Sequence, residues 1–181
     1  MKGVTLIETI IVITILAVTS MIMSVTFITL WRVSQMNLSS FETKSQGGIT
    51  MQKIADTIEA SSSVLSSRAI NGAAYTTNES SLVLQIPSIN SSSEIVAAAF
   101  DYAAFAASST EIFMDIEPSA SSVRPGGKFV LANLAKDINF RYNSSTSTDI
   151  TTIEIFIHTA KSSYGLDQIS TLSTVAQLKN K

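Results

Sequence analysis

Side chains able to do chemistry are few in this sequence, and their spacing argues against catalysis. There is no cysteine, which excludes disulfides, thiolate metal sites and cysteine nucleophiles by inventory. His158 is the only histidine, too few for a multi-histidine metal site or a second acid–base imidazole; a half-exposed strand residue is expected there. Asp115 and Glu117 alternate along one candidate strand and could share a hard cation with Asp149 or Asp101, since Ca²⁺ takes about six to eight oxygens. No EF-hand spacing accompanies them, so solvated charges are expected. The run Arg124-Pro125-Gly126-Gly127-Lys128 lacks the G-x-x-x-x-G-K-[ST] order of a phosphate loop and reads as a turn. No catalytic residue, metal ligand or cofactor is assigned.

One charge is out of place. Glu8 interrupts Thr5-Leu6-Ile7 on one side and Ile10 to Ile13 on the other, and residues 9–31 that follow carry no charge, Pro or Gly. As a helix rising about 1.5 Å per residue, those 23 residues cover roughly 35 Å, enough to cross a hydrocarbon core of about 30 Å with some tilt. Trp31 and Arg32 close the run as interface residues do, the ring at headgroup level and the guanidinium in water. A carboxylate at Glu8 would cost roughly 2.5 to 3.5 kcal/mol at mid-bilayer and less near the surface. A removable secretory signal fits poorly: its basic region would be only Met1 and Lys2, the apolar run is too long, and Ala17-Val18-Thr19 is the nearest approach to an A-x-A site. A plain signal anchor with Glu8 at the interface stays open. Lys2 on one side faces Arg32 and Lys44 on the other, so charge does not set the orientation.

The elements that would carry this segment fit one domain. With 181 residues there is room for a span, a helical neck and a single head. A net charge of −2 with 12 scattered Lys and Arg leaves no electrostatic footprint for nucleic acid. Val33, Met36, Leu38 and Phe41 thread through polar residues, and Met51, Ile54, Ala55 and Ile58 repeat cleanly at helical spacing with Lys53, Asp56 and Glu59 opposite. A helical neck over 32–62 is expected, its second stripe packed on a sheet. Gly47-Gly48 predicts a bend or break within it, each Gly costing about 1 kcal/mol relative to Ala. From 63 to 181 the period changes to two. Strands are predicted over 82–86, ending at Pro87, and over 95–105, 111–117, 129–134, 138–142, 152–159 and 172–178, with loops at 88–93, 119–127 and 143–148. Ile153, Ile155 and Ile157 should face inward, with Glu154, Phe156 and His158 on the other side. The fold class is α+β: a long N-terminal helix, transmembrane in its lower half, whose upper half packs on an antiparallel β-sheet head.

The residues Lys2-Gly3-Val4-Thr5-Leu6-Ile7-Glu8 and the apolar helix after them resemble the prepilin cleavage site of type IV pilins and type II secretion pseudopilins. The resemblance implies a leader of residues 1–3, cleavage between Gly3 and Val4 by a prepilin peptidase, N-methylation of Val4, and a retained transmembrane helix at 4–31. Two departures are Val4, where the family most often has Phe, and a span without proline. The resemblance gives Glu8 a role: paired with the Val4 ammonium of a neighbouring subunit, it would fix the axial stagger of one helix against the next, both charges losing less together than apart on leaving water.

In the head, Gln52-Lys53-Ile54, Ser81 to Pro87, Leu134 to Tyr142 and Leu172 to Asn180 look like minor pilins and minor pseudopilins of the W and J kinds. That likeness implies a pilin fold, a head outside the cytoplasm with the N-terminus inside, and partners in other pilin or pseudopilin subunits, an inner-membrane assembly platform and the lipid bilayer. The competing classes are a membrane-tethered extracytoplasmic binding or adhesion domain that never polymerises, and a membrane-bound enzyme, for which no constellation speaks.

Overall fold

The computed structural model describes residues 5–109, 111–163 and 166–179. One helix, α1 (Leu6–Ala60, 55 residues), is followed by ten strands: β1 (Ser63–Val64), β2 (Ser67–Ile70), β3 (Ala73–Thr76), β4 (Ser81–Ile89), β5 (Ile95–Ser108), β6 (Glu111–Glu117), β7 (Gly127–Ala132), β8 (Ala135–Tyr142), β9 (Thr152–Ser163) and β10 (Leu166–Gln177). All pairings are antiparallel, in sheets ordered β1-β4-β5-β6-β7, β10-β9-β8 and β2-β3. The architecture is α+β, as expected.

α1 runs unbroken through Gly47 and Gly48, which corrects the predicted interruption. The reason lies in packing. The helix turns one stripe toward the head: Ser39, Thr43, Gly47, Thr50, Met51, Ile54 and Ile58. Its lower members are small, so the sheet approaches closely, and a Cβ added at Gly47 would stand 2.6 Å from Leu172 Cδ1 and 3.5 Å from Thr159 Cγ2. Gly47 is therefore a contact surface rather than a hinge. Two bonds cross the seam, Thr159 Oγ1 donating to Thr43 O at 3.1 Å and Thr50 Oγ1 to Leu131 O at 3.0 Å, while the buried Ser39 hydroxyl has no partner among the described residues. Lys161 pairs with Glu42 and Lys179 with Glu59 along its margins.

Higher up, Met51, Ile54 and Ile58 enter the main core with Leu82, Leu84, Phe105, Ile138, Phe140 and the inward row Ile153, Ile155, Ile157 of β9. Each such side chain removed from water contributes about 1.5 to 3 kcal/mol. Glu154, Phe156 and His158 are half-buried on the other face of β9, as its alternation predicts.

Several strand limits differ from the sequence expectation. β4 continues through Pro87 and Ser88 to Ile89, and the loop begins only at Asn90. Val83 and Gln85 accept from Leu65 and Ser62 on β1's side, so Pro87 turns the same way. There β1 has already ended, and the proline breaks no ladder. β7 and β8 begin earlier than predicted, and β9 and β10 form a hairpin longer than the apolar alternation suggests, because Ser and Thr fill its outward positions. β2 and β3, not predicted, form a two-residue hairpin whose Asn71 (φ 48°) and Gly72 (φ 84°) occupy the left-handed region, the Asn-Gly signature of a type I′ turn. It covers the outer face of the large sheet with Ile70 against Val83 and Ala104.

The two adjacent glycines should respond oppositely to substitution. Gly47→Val is expected to cost about 1 to 3 kcal/mol by overpacking. Gly48→Ala, whose Cβ would meet nothing within 4 Å, is expected to gain up to about 1 kcal/mol. Thermal unfolding of the full chain in detergent micelles reads both; a stabilising Gly47→Val would contradict the close seam.

Candidate functional site

The candidate site is the part of α1 that its own head leaves uncovered. Every residue from 5 to 34 is exposed, and α1 is one helix long and apolar enough to cross a membrane. Its hydroxyls are prepared for such an environment: Thr14, Thr19, Ser24, Thr26 and Thr29 each donate to the carbonyl four residues back at 2.8 Å. None of these five leaves its donor unmet, as an apolar surrounding would require. Trp31 and Arg32 lie side by side, exposed, where the apolar run ends.

At the other end, Thr5 is the helix N-cap and Glu8 completes a capping box. Thr5 Oγ1 accepts from Glu8 N–H at 3.3 Å, and Thr5 N–H donates to Glu8 Oε2 at 3.1 Å. Glu8 thus satisfies an otherwise orphan donor of its own helix and complements the helix dipole. Both side-chain bonds of Glu8 fall on Oε2, leaving Oε1 without a partner among the described residues. Gly3 and Val4 lie outside the described residues.

Above Arg32 the apolar character of α1 continues on one side only. Met36 turns toward the head and is half-buried. Leu38, Phe41 and Ile49 remain 53%, 70% and 68% exposed. At about 100° per residue these three lie roughly opposite the buried stripe, and Leu38 and Phe41 face away from the head. Ile49 also borders a groove of about 610 Å³ between α1 and β7, lined by Lys53, Met114, Ile116, Phe129 and Val130.

The polar candidates do not converge. Among the described residues no group of three or more His, Asp or Glu could hold a metal ion. Asp149 is exposed on the turn before β9, and Glu117 stands 3.9 Å from Arg68. Asp101 and Asp115 correct the expectation of solvated charges, for both are buried. Asp115 accepts from Asn71 Nδ2 at 2.6 Å and Tyr75 OH at 3.0 Å, tying the β2–β3 hairpin down. Burial, then the bond and charge of Asp115, push the Tyr75 phenol up to about 12. Asp101 accepts from Ser88 Oγ (2.7 Å), Ser119 N–H (2.8 Å) and Ser122 Oγ (2.7 Å), and pairs with Arg124. Burial alone would raise its pKa; the Ser119 N–H, the two hydroxyls and the guanidinium outweigh it and hold the carboxyl below its ordinary value. Arg124, expected in a simple turn, latches the 119–126 loop onto β4 and β5. The network joins three separate segments, β4, β5 and the loop, so no local pattern announces it.

No protein family, curated protein or solved structure matches this chain.

Breaking the Asp101–Arg124 pair should be severe. Arg124→Ala leaves a buried carboxylate uncompensated and is expected to cost about 3 to 5 kcal/mol. A carboxylate whose pKa is lower folded than unfolded contributes stability that is complete above its unfolded value of about 4 and is lost as pH falls through the folded value. Thermal unfolding at stepped pH should therefore show wild type losing stability below about pH 4 more steeply than Asp101→Asn; equal slopes would contradict the assignment.

Proposed function

We propose that this chain is a filament subunit of the type IV pilin class, a minor pilin or pseudopilin of the W or J kind with a pilin fold. In this reading a prepilin peptidase cuts between Gly3 and Val4 and methylates Val4. Residues 4–31 hold the subunit in the membrane with its head outside the cytoplasm. An inner-membrane platform then moves it into a pilus or pseudopilus beside other pilin-like subunits, and no catalytic residue or cofactor is involved.

The observation that carries the reading is the far face of α1. A simple tether needs apolar surface only as far as Trp31. Leu38 and Phe41 extend it past the charged Arg32, away from the buried stripe, and exposed Ile49 continues it as far as the groove against β7. Water-exposed apolar surface of this kind is reduced by packing helix against helix, where side chains three and four apart on one face meet a partner. Glu8 supports the same reading, because its capping bonds leave one carboxylate oxygen for a cation supplied from outside, as the Val4 ammonium of a neighbour would be.

The capping box also favours a bland second role, in which Glu8 merely starts the helix of a tethered domain. Two substitutions separate the roles. Glu8→Gln can still complete a capping box but carries no charge. It should insert normally and assemble about tenfold less well or worse, whereas under the capping role it assembles like wild type and Glu8→Ala alone is impaired. N-terminal mass spectrometry of the chain made with and without a prepilin peptidase tests the proposal as a whole. Loss of residues 1–3 and one added methyl on Val4, only with the peptidase, is expected. An untouched Met1 overturns it.

A further inference from the structure

The chain holds one Asn-Gly pair, Asn71-Gly72, and the fold places it at the exposed tip of the β2–β3 hairpin. Asn is a thermolabile residue, most of all before Gly, where no side chain shields the following backbone nitrogen. A Cβ added at Gly72 would meet nothing within 4 Å, so the tip lies open to water. The same side chain is also the hairpin's tie to the sheet. Asn71 Nδ2 donates to Asp115 Oδ1 at 2.6 Å and to Ile116 O at 3.0 Å, while Tyr75 OH takes the other oxygen of Asp115 at 3.0 Å. Asp115 is buried, and beneath the hairpin Ile70 closes over Val83 and Ala104. A labile amide thus carries a structural bond.

The closed hairpin protects that amide. Asn71 and Gly72, at φ 48° and 84°, are the two central residues of the turn, and a type I′ turn sets ψ of the first at about +30°. Asn71 Cβ then stands nearly trans to the Gly72 nitrogen about the Cα–C bond. Closing a five-membered ring between the Asn71 side chain and that nitrogen needs the two nearly eclipsed. The two bonds on Nδ2 hold the side chain to β6 as well. The reaction therefore waits for the turn to open, which an exposed two-stranded hairpin does more readily than the core strands beneath it.

We infer that Asn71 is a modification site, deamidating spontaneously at a rate set by its latch on Asp115, and that the conversion unlatches the hairpin. The Gly72 nitrogen gives its proton to solvent base and attacks Asn71 Cγ. The new C–N bond closes a cyclic imide as the Cγ–Nδ2 bond breaks, and the amide nitrogen takes up a proton and leaves as ammonia. Water then opens the imide at either carbonyl, giving aspartate or isoaspartate, with no electrons transferred. Both products break the tie. A donor is replaced by a carboxylate beside the Asp115 carboxylate, and like charges at such distance repel. Isoaspartate also lengthens the backbone of a two-residue turn whose length sets the hairpin register. The hairpin is then released from Asp115, and Ile70 can lift from Val83 and Ala104. This inference rests on the head alone and not on filament assembly.

The test incubates the full chain in detergent micelles at mildly alkaline pH and follows Asn71 by peptide mapping and isoaspartyl labelling. A free peptide of residues 66–77, which has no latch, gives the unprotected rate. Wild type should convert more slowly than the peptide by the fraction of time its turn is open. Hydrogen exchange of the Ala73 amide, which closes the turn onto Ile70, reads that fraction independently. Asp115→Ala removes the acceptor and should speed conversion of Asn71 about tenfold or more. Asn71→Asp, which carries the new charge on a normal backbone, should speed Ala73 exchange about tenfold or more. Conversion of wild type as fast as the peptide, equal rates in wild type and Asp115→Ala, or unchanged Ala73 exchange in Asn71→Asp would each overturn the assignment. So would an Asn71 still intact after the time that Ala73 exchange sets. If Asp115→Ala does not fold, the wild-type agreement between conversion and Ala73 exchange decides the question, and a mismatch beyond about tenfold overturns it.

Discussion

The seam between α1 and the sheets is the contact on which the rest of this molecule depends. A 55-residue helix would measure about 82 Å end to end, and its own head can cover only the stripe from Ser39 to Ile58. That stripe is graded. Ser39, Thr43, Gly47 and Thr50 let the β9–β10 hairpin lie close, and Met51, Ile54 and Ile58 lock the upper end into the core. Because covering one stripe uses the available head, the opposite stripe stays apolar and open. Coverage of one stripe by the head and exposure of the opposite one are two consequences of one packing arrangement.

The head is built to be stiff without disulfides. Two buried carboxylates take the place of covalent staples. Asp101 ties the 119–126 loop, through the Ser122 hydroxyl, the Ser119 amide and the Arg124 guanidinium, to Ser88 of β4, and Asp115 gathers the β2–β3 hairpin through an amide and a phenol. Buried ionic groups of this sort define a single arrangement more than they add net stability, since desolvation offsets much of their attraction. Leu172 over Gly47 does the same by shape. Together these contacts set one arrangement of the head on its helix.

Long periodic signals were legible in the residues. The apolar run before Trp31, the helical spacing of Met51, Ile54 and Ile58, and the alternation in β9 each rest on many residues obeying one period, and they appear in the fold as expected. Shorter or non-local features were not. Gly47-Gly48 reads as a break because the Leu172 that packs against it is 125 positions away. The Asn71-Gly72 turn carries a recognisable local signal that was missed beneath the surrounding Ser and Ala. The Asp101 and Asp115 networks join segments that nothing in sequence links, so charges that look solvated are buried. Within the candidate site, Glu8, Trp31 and Arg32 stand out in the sequence by type and position. The capping box was readable in Thr5 to Glu8, yet only the spatial arrangement placed Leu38 and Phe41 opposite the head.

The central claim is that the far face of α1 is packed by other subunits of the same class. Because the chain contains no cysteine, a single one in place of Phe41 can carry a photo-crosslinker at a unique position in cells that assemble the filament. The account predicts covalent adducts between Phe41→Cys and another pilin-like subunit, and none from a control cysteine replacing exposed Ser92 on the head. Adducts to lipid alone, or the same background from both positions, would contradict it.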